Sequence, residues 1–132
     1  MDTFEVQTRQ RNEFIDITDR VRHHVERSGV RQGICVVYCP HTTAAITINE
    51  NADPDVVHDM LLWLNRTIPK DQSGFRHNEG NSDSHLKASL VGPSVTLLVE
   101  NGELVLGRWQ GVFFCEFDGP RTRRVHIQSL GA

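Results

Sequence analysis

The sequence has little of several things that would each narrow its class. Its three cysteines, Cys35, Cys39 and Cys115, are odd in number and form no Cys-x-x-Cys pair, so no disulfide framework is expected. No apolar stretch approaches the roughly 18 uninterrupted residues of a membrane helix. The opening Met1-Asp2-Thr3-Phe4-Glu5 lacks the basic and apolar regions of a signal peptide, and a cytoplasmic location is expected. An excess of positive charge is also missing: 14 Lys and Arg face 17 Asp and Glu, a formal charge of −3. Nucleic acid and anionic membranes are bound chiefly through surplus cations, so neither is an expected partner, although Arg121, Arg123 and Arg124 form a local basic cluster. At 132 residues the chain is too short for a (β/α)₈ barrel, which needs at least about 200.

What is present suits one domain. Hydrophobic residues make up 38% and charged residues 23%, enough apolar surface for a core. Alternation predicts strands over 3–9, 14–17, 44–49 and 123–128, and continuous apolar runs predict buried strands over 34–39 and 111–117. A helix over 19–28 is capped by Thr18 and ended by Gly29. Asp53-Pro54 starts a second, whose Val57, Met60, Leu61 and Leu64 recur at helical spacing. A polar stretch over 69–83 precedes a short helix over 84–90. Asn101-Gly102 joins strands 94–100 and 103–106 in a hairpin. The expected fold class is a compact single α+β domain, 1–132, with a mainly antiparallel sheet or sandwich and two or three helices.

The polar stretch carries the densest chemistry. Between Arg76 and Lys87 it holds His77, Glu79, Asp83 and His85, groups that bind divalent metals or move protons. Ser84 or Asp83 at a helix start, with Lys87 in the first turn, could bind phosphate; a solvated surface loop has the same composition. The spacing His77-x₇-His85 is not a standard metal signature. Cys39 reads as an inert core thiol, and His41 as a strand-end imidazole of greater interest. Asn49 and Glu50 either bind a polar ligand or satisfy a turn. Trp109 and Gln110, framed by glycines, either stack on a ligand or form a bulge. Glu116 lies in an apolar strand and needs a partner: a functional carboxylate, or an ion pair with Arg121, Arg123 or Arg124.

His41-Thr42-Thr43-Ala44, Asn49-Glu50-Asn51, Asp53-Pro54, His58-Asp59, the run from Glu79 to Lys87, and Gly107-Arg108-Trp109-Gln110-Gly111 with Glu116 together resemble the YjbQ-like family, in the same order over nearly the whole chain. Arg108 stands where that family usually has threonine. The resemblance implies a homotrimer with secondary thiamine-phosphate synthase activity, coupling a hydroxymethylpyrimidine diphosphate to a thiazole phosphate. On that expectation a divalent metal, zinc or magnesium, is held by His41, His77 and His85. Asp83, Glu116 and His77 do acid/base work, and Asn49, Glu50, Ser84, Lys87, Trp109 and Gln110 line the site for a small phosphorylated molecule. Alternatives are metal-assisted hydrolysis of a phosphate ester and a non-catalytic module that binds a phosphorylated ligand or metal. An extended strand rises about 3.3 Å per residue, so His41 and Glu50 are nearly 30 Å apart at full extension. The motif residues are therefore expected to converge only across a subunit interface.

Overall fold

The run from Gly111 to Phe117 is apolar on both side-chain parities apart from Glu116, so it is stable only between two layers, and in the computed structural model, which describes residues 1–132, every one of these residues is buried. The elements follow in the order β1 (Asp2–Gln7), β2 (Glu13–Asp16), α1 (Thr18–Ser28), β3 (Gln32–Tyr38), β4 (Ala44–Glu50), α2 (Pro54–Thr67), α3 (Ser82–Val91), β5 (Ser94–Glu100), β6 (Glu103–Leu104), β7 (Gln110–Glu116) and β8 (Thr122–Gly131). A five-stranded sheet has the order β1-β8-β3-β5-β6 and a three-stranded sheet the order β2-β7-β4; every pairing is antiparallel. Three helices and two antiparallel sheets make one α+β domain.

Parity along β7 sorts the core into two. Val112 and Phe114 turn towards the five-stranded sheet and α1, meeting Val37, Ile46, Val125 and Val21. Phe113, Cys115 and Phe117 turn the other way, onto Leu64, Ala88, Val57 and Val91 of α2 and α3. The outer face of the larger sheet stays open. On it, Leu98, Ile34 and Leu130 lie side by side across β5, β3 and β8.

Local chemistry explains most element ends. Asp53 caps α2 by accepting the Asp55 amide at 2.9 Å, with Pro54 in the first turn. Asn101 and Gly102, both at positive φ, form the β5–β6 turn. Thr18 is the first residue of α1 rather than its cap: the cap position is Ile17, and Asp16 Oδ1 instead accepts the Thr18 amide at 2.9 Å. Helix α3 begins at Ser82, two residues ahead of the expected start, and its cap residue Asn81 makes no side-chain cap bond. Of the apolar stripe expected on α2, Leu64 alone is buried, and Trp63 is 57% exposed. That helix lies on the outside, with one face lacking a neighbour. No helix is long and apolar enough to cross a membrane.

Helix α3 is held by charge as well as by apolar contact. Its Asp83, 0% exposed, takes both terminal nitrogens of Arg11 at 3.0 Å and Lys87 Nζ at 3.0 Å. Lys87, also buried, reaches Asn65 Oδ1 at 2.8 Å and so ties α3 to α2. Although burial works against the charge, the hydrogen bonds from Arg11 and Lys87 hold the Asp83 carboxyl down at about 2, below its ordinary 3.8. The unfolded chain then binds the extra proton between those two values, so the pair stabilises the fold above about pH 4 and the contribution is lost as pH falls through about 2. It amounts to about 2 kcal/mol. Urea unfolding followed from pH 5 to pH 2 should show this loss. Asp83→Asn should remove the Asp83 part of the pH dependence and cost about 3–5 kcal/mol at pH 7, because Lys87 is left buried without its counter-charge.

Candidate functional site

Strand β8 carries Arg123 on the same inward parity as Val125 and Ile127, and β7 ends with Glu116 on the inward parity of Val112 and Phe114. The two charges meet between the sheets and form a buried ion pair. Arg123 Nε donates to Glu116 Oε1 at 2.8 Å, and Arg123 Nη2 donates to Glu116 Oε2. Thr8 Oγ1 lies 2.8 Å from Oε1, and the amides of Phe117 and Asp118 reach Oε2 at 3.0 and 3.1 Å. With five donors around it, this carboxylate has no position left for a substrate proton. Its alternative reading, an ion pair with one of the neighbouring arginines, describes its place: Glu116 positions the site and does not open onto it.

Arg123 also donates to Thr43 Oγ1 at 2.9 Å, which fixes the connection from β3 to β4 against the pair. A cleft of about 290 Å³ opens beside that connection. Pro40, His41, Thr42 and Thr43 form one wall, Glu79, Asn81 and His85 the second, and Asp118, Arg121 and Arg123 the floor; apart from Pro40 every lining side chain is polar. Arg121 donates to the Asp118 carbonyl at 2.9 Å and to its carboxylate at 3.1 Å, with half of the side chain open to solvent. Asn81 Nδ2 donates to Asp118 at 2.7 Å, and Asn81 Oδ1 is buried with no partner. Charges pair off, Arg123 with Glu116 and Arg121 with Asp118. Glu79 is the excess carboxylate, 71% exposed and 3.6 Å from His77 Nε2.

The three imidazoles expected to hold a metal are not gathered. His41 and His85 line the cleft, whereas His77 lies in the adjoining hollow with Phe75 and Leu86, its ring edge-to-face with His85 at 5.5 Å. His41 Nε2 accepts the Arg124 backbone amide at 2.8 Å, so that lone pair is already used. No group of three His, Cys, Asp or Glu side chains is arranged to hold a metal ion within one chain. Within one chain the expected three-imidazole metal site is therefore not formed. Burial and the nearby Arg123 charge lower the basicity of His41, which keeps the ring neutral at pH 7.

Other expected residues lie elsewhere for identifiable reasons. Asp83 and Lys87 are consumed by the α3 network, and Ser84 Oγ donates to the Phe117 carbonyl at 2.6 Å, so none of the three is free for phosphate or proton transfer. Asn49, Glu50, Trp109 and Gln110 collect at the opposite end of the β4–β7 ladder, where Glu50 pairs with Gln110. The β4 strand alone, about 20 Å long, separates them from the connection that carries His41. There Gln110 accepts the Gly107 amide at 2.8 Å, Arg108 lies over the Trp109 ring at 4.7 Å, and the Asn51 side chain fills the space a side chain at Gly111 would need. The residues that sequence reasoning passed over as a site are Asn81, Asp118 and Arg121. The usable signal was Arg123 in phase with Val125 and Ile127, a charge on a buried parity.

Comparison with known proteins gives one family. A family model described as UPF0047 protein YjbQ-like matches residues 2–132. The UPF0047 protein YugU of Bacillus subtilis (strain 168) is 51% identical over 129 residues, 98% of each chain. A UPF0047 protein of Methanocaldococcus jannaschii is 50% identical over 128 residues, 97% of this chain and 92% of that one. The crystal structure of an uncharacterized conserved protein of the yjbq/upf0047 family from Clostridium acetobutylicum superposes with a TM-score of 0.97 at 51% identity, covering 98% of this chain and all of that one. A YbjQ-like protein of unknown function from Sulfolobus solfataricus P2 superposes with a TM-score of 0.94 at 36% identity, covering 99% and 96%.

If Glu116 is a brace, removing it should act on stability. Glu116→Ala strands Arg123 in the core and should cost about 3–5 kcal/mol in urea unfolding. Replacing both partners with Met should recover most of that loss, because neither charge is then left alone.

Proposed function

The chain belongs to the YjbQ-like UPF0047 family, and on that premise we propose a thiamine-phosphate-synthase-like transferase that acts as a homotrimer and binds the diphosphate end of its substrate in the His41–His85–Arg121 cleft. In that reaction a thiazole phosphate joins the methylene carbon of a hydroxymethylpyrimidine as the carbon–oxygen bond to diphosphate breaks. The observation that carries the reading is the polar lining of the cleft, Pro40 apart, with the half-exposed Arg121 and two imidazoles on its walls. Its charge balance refines the substrate. Glu79 is a surplus carboxylate and opposes a bare anion, but suits an anion accompanied by a divalent cation. Magnesium typically keeps several waters and is met by one or two carboxylates together with substrate phosphates. The diphosphate therefore arrives as its magnesium or zinc complex, and the cation is part of the substrate. Asn81 Oδ1, without a partner in the chain, accepts a hydrogen bond readily from a donor held there.

The homotrimer reading has separate support. The apolar face of α2 around Trp63 and the open row of Leu98, Ile34 and Leu130 are surfaces that association would bury. Head-to-tail packing of unlike faces closes into a ring when the rotation allows. For the two clusters to form one site, the ring must set Asn49, Glu50, Trp109 and Gln110 of one subunit against the cleft of the next. The two clusters are too far apart to cooperate within one chain.

Two measurements test this. Calorimetry with inorganic pyrophosphate should show binding about tenfold or more tighter with magnesium present, and Glu79→Gln should shrink that difference; equal binding with and without the ion, or none, overturns the assignment of the cleft. Coupling assayed on mixed subunits should be low for His85→Ala alone and for Gln110→Ala alone, and partly restored when the two are refolded together. A monomer by light scattering, or mixtures no better than either parent, removes the shared site. Binding of magnesium pyrophosphate without any coupling by the wild-type chain would favour the non-catalytic module.

A further inference from the structure

We infer that His41 is a fixed hydrogen-bond donor of the cleft, serving ligand oxygens through Nδ1–H and unavailable to a metal ion. The argument starts from a backbone amide, which can only donate. Arg124 N–H lies 2.8 Å from His41 Nε2, so Nε2 must hold an unprotonated lone pair. A neutral imidazole carries one proton, and it is therefore on Nδ1. That nitrogen makes no hydrogen bond within the chain, while the ring itself lines the cleft. Arg124 belongs to β8, so the amide that sets the tautomer is as immobile as the sheet.

The surroundings keep the ring in that form. Burial is the first cause and the Arg123 charge the second; both disfavour a cation on the ring, as Arg121 does more weakly, while Glu116 acts the other way and is offset by the Arg123 it pairs with. Protonation would also break the bond to the Arg124 amide, since both nitrogens of an imidazolium are donors. A metal needs an imidazole lone pair, and the single one here is occupied. The ligand class that remains is one with acceptor oxygens, such as a phosphoryl group. This deepens the reading of the cleft as a diphosphate site and rests on it for the identity of the ligand, but not for the tautomer.

The experiment uses the full chain labelled with ¹⁵N at histidine. Long-range proton–nitrogen correlation at pH 7 should show His41 protonated on Nδ1, unchanged by added zinc, with the Nδ1 resonance moving when magnesium pyrophosphate is added. His41→Ala should weaken magnesium pyrophosphate by about tenfold, the scale of a hydrogen bond to a charged group. His41→Asn, which can place an amide N–H near the position of Nδ1, should recover most of that loss. A proton on Nε2, a zinc-dependent shift of the His41 nitrogens, or wild-type affinity in a natively folded His41→Ala variant overturns the inference. Should the wild-type chain ignore magnesium pyrophosphate, the substrate reading falls, and the tautomer with its response to zinc still decides between donor and metal ligand.

Discussion

The molecule is organised around one ion pair. Glu116 and Arg123 come from different sheets, and each is buried near the end of a strand beside inward apolar residues, Phe114 and Val112 on one and Val125 and Ile127 on the other. Burying two charges is costly unless every lone pair and proton finds a partner, and here Thr8, Thr43 and two backbone amides complete the set. The pair therefore does more than hold the sheets together. It sets the position of the β3–β4 connection through Thr43 and of the turn after β7 through the Asp118 amide. Both segments line the cleft, so the cleft takes its shape from the ion pair beneath it.

That arrangement explains what was legible in the sequence. Elements decided by local chemistry could be read directly: the doubly apolar run of β7, the Asn101-Gly102 turn, and Asp53-Pro54 at the start of α2. The start of α3 was not, because Asn81 spends its side-chain amide on Asp118 and on the neighbouring Glu79 instead of capping its own helix. The exposure of α2 was hidden for a similar reason. Helical spacing reports which face is apolar, and says nothing about whether the same chain covers it.

The site residues divide along the same line. Asp83, Lys87 and Glu116 have the composition of a catalytic centre, but their partners are distant in sequence: Arg11 lies 72 positions from Asp83 and Thr8 lies 108 from Glu116. A pattern read along the chain cannot distinguish a carboxylate awaiting a substrate from one already saturated by a remote arginine. His41 and His85 were found because their neighbours are loop and helix-start residues, open to a cleft. The split between that cleft and the Trp109–Gln110 end followed from strand rise alone.

One further consequence comes from the cysteines. Cys35, Cys39 and Cys115 are buried in the two cores, and burial pushes all three thiols above their ordinary value, Cys115 furthest. In the folded chain neither reagent nor thiolate is available at these positions. Alkylation then has to wait for the layers to part, so the chain carries three built-in timers of its own opening. Cys35 reports on the larger sheet and Cys115 on the helix-covered face of the smaller one, and comparing their clocks would reveal whether the two halves come apart together or in turn.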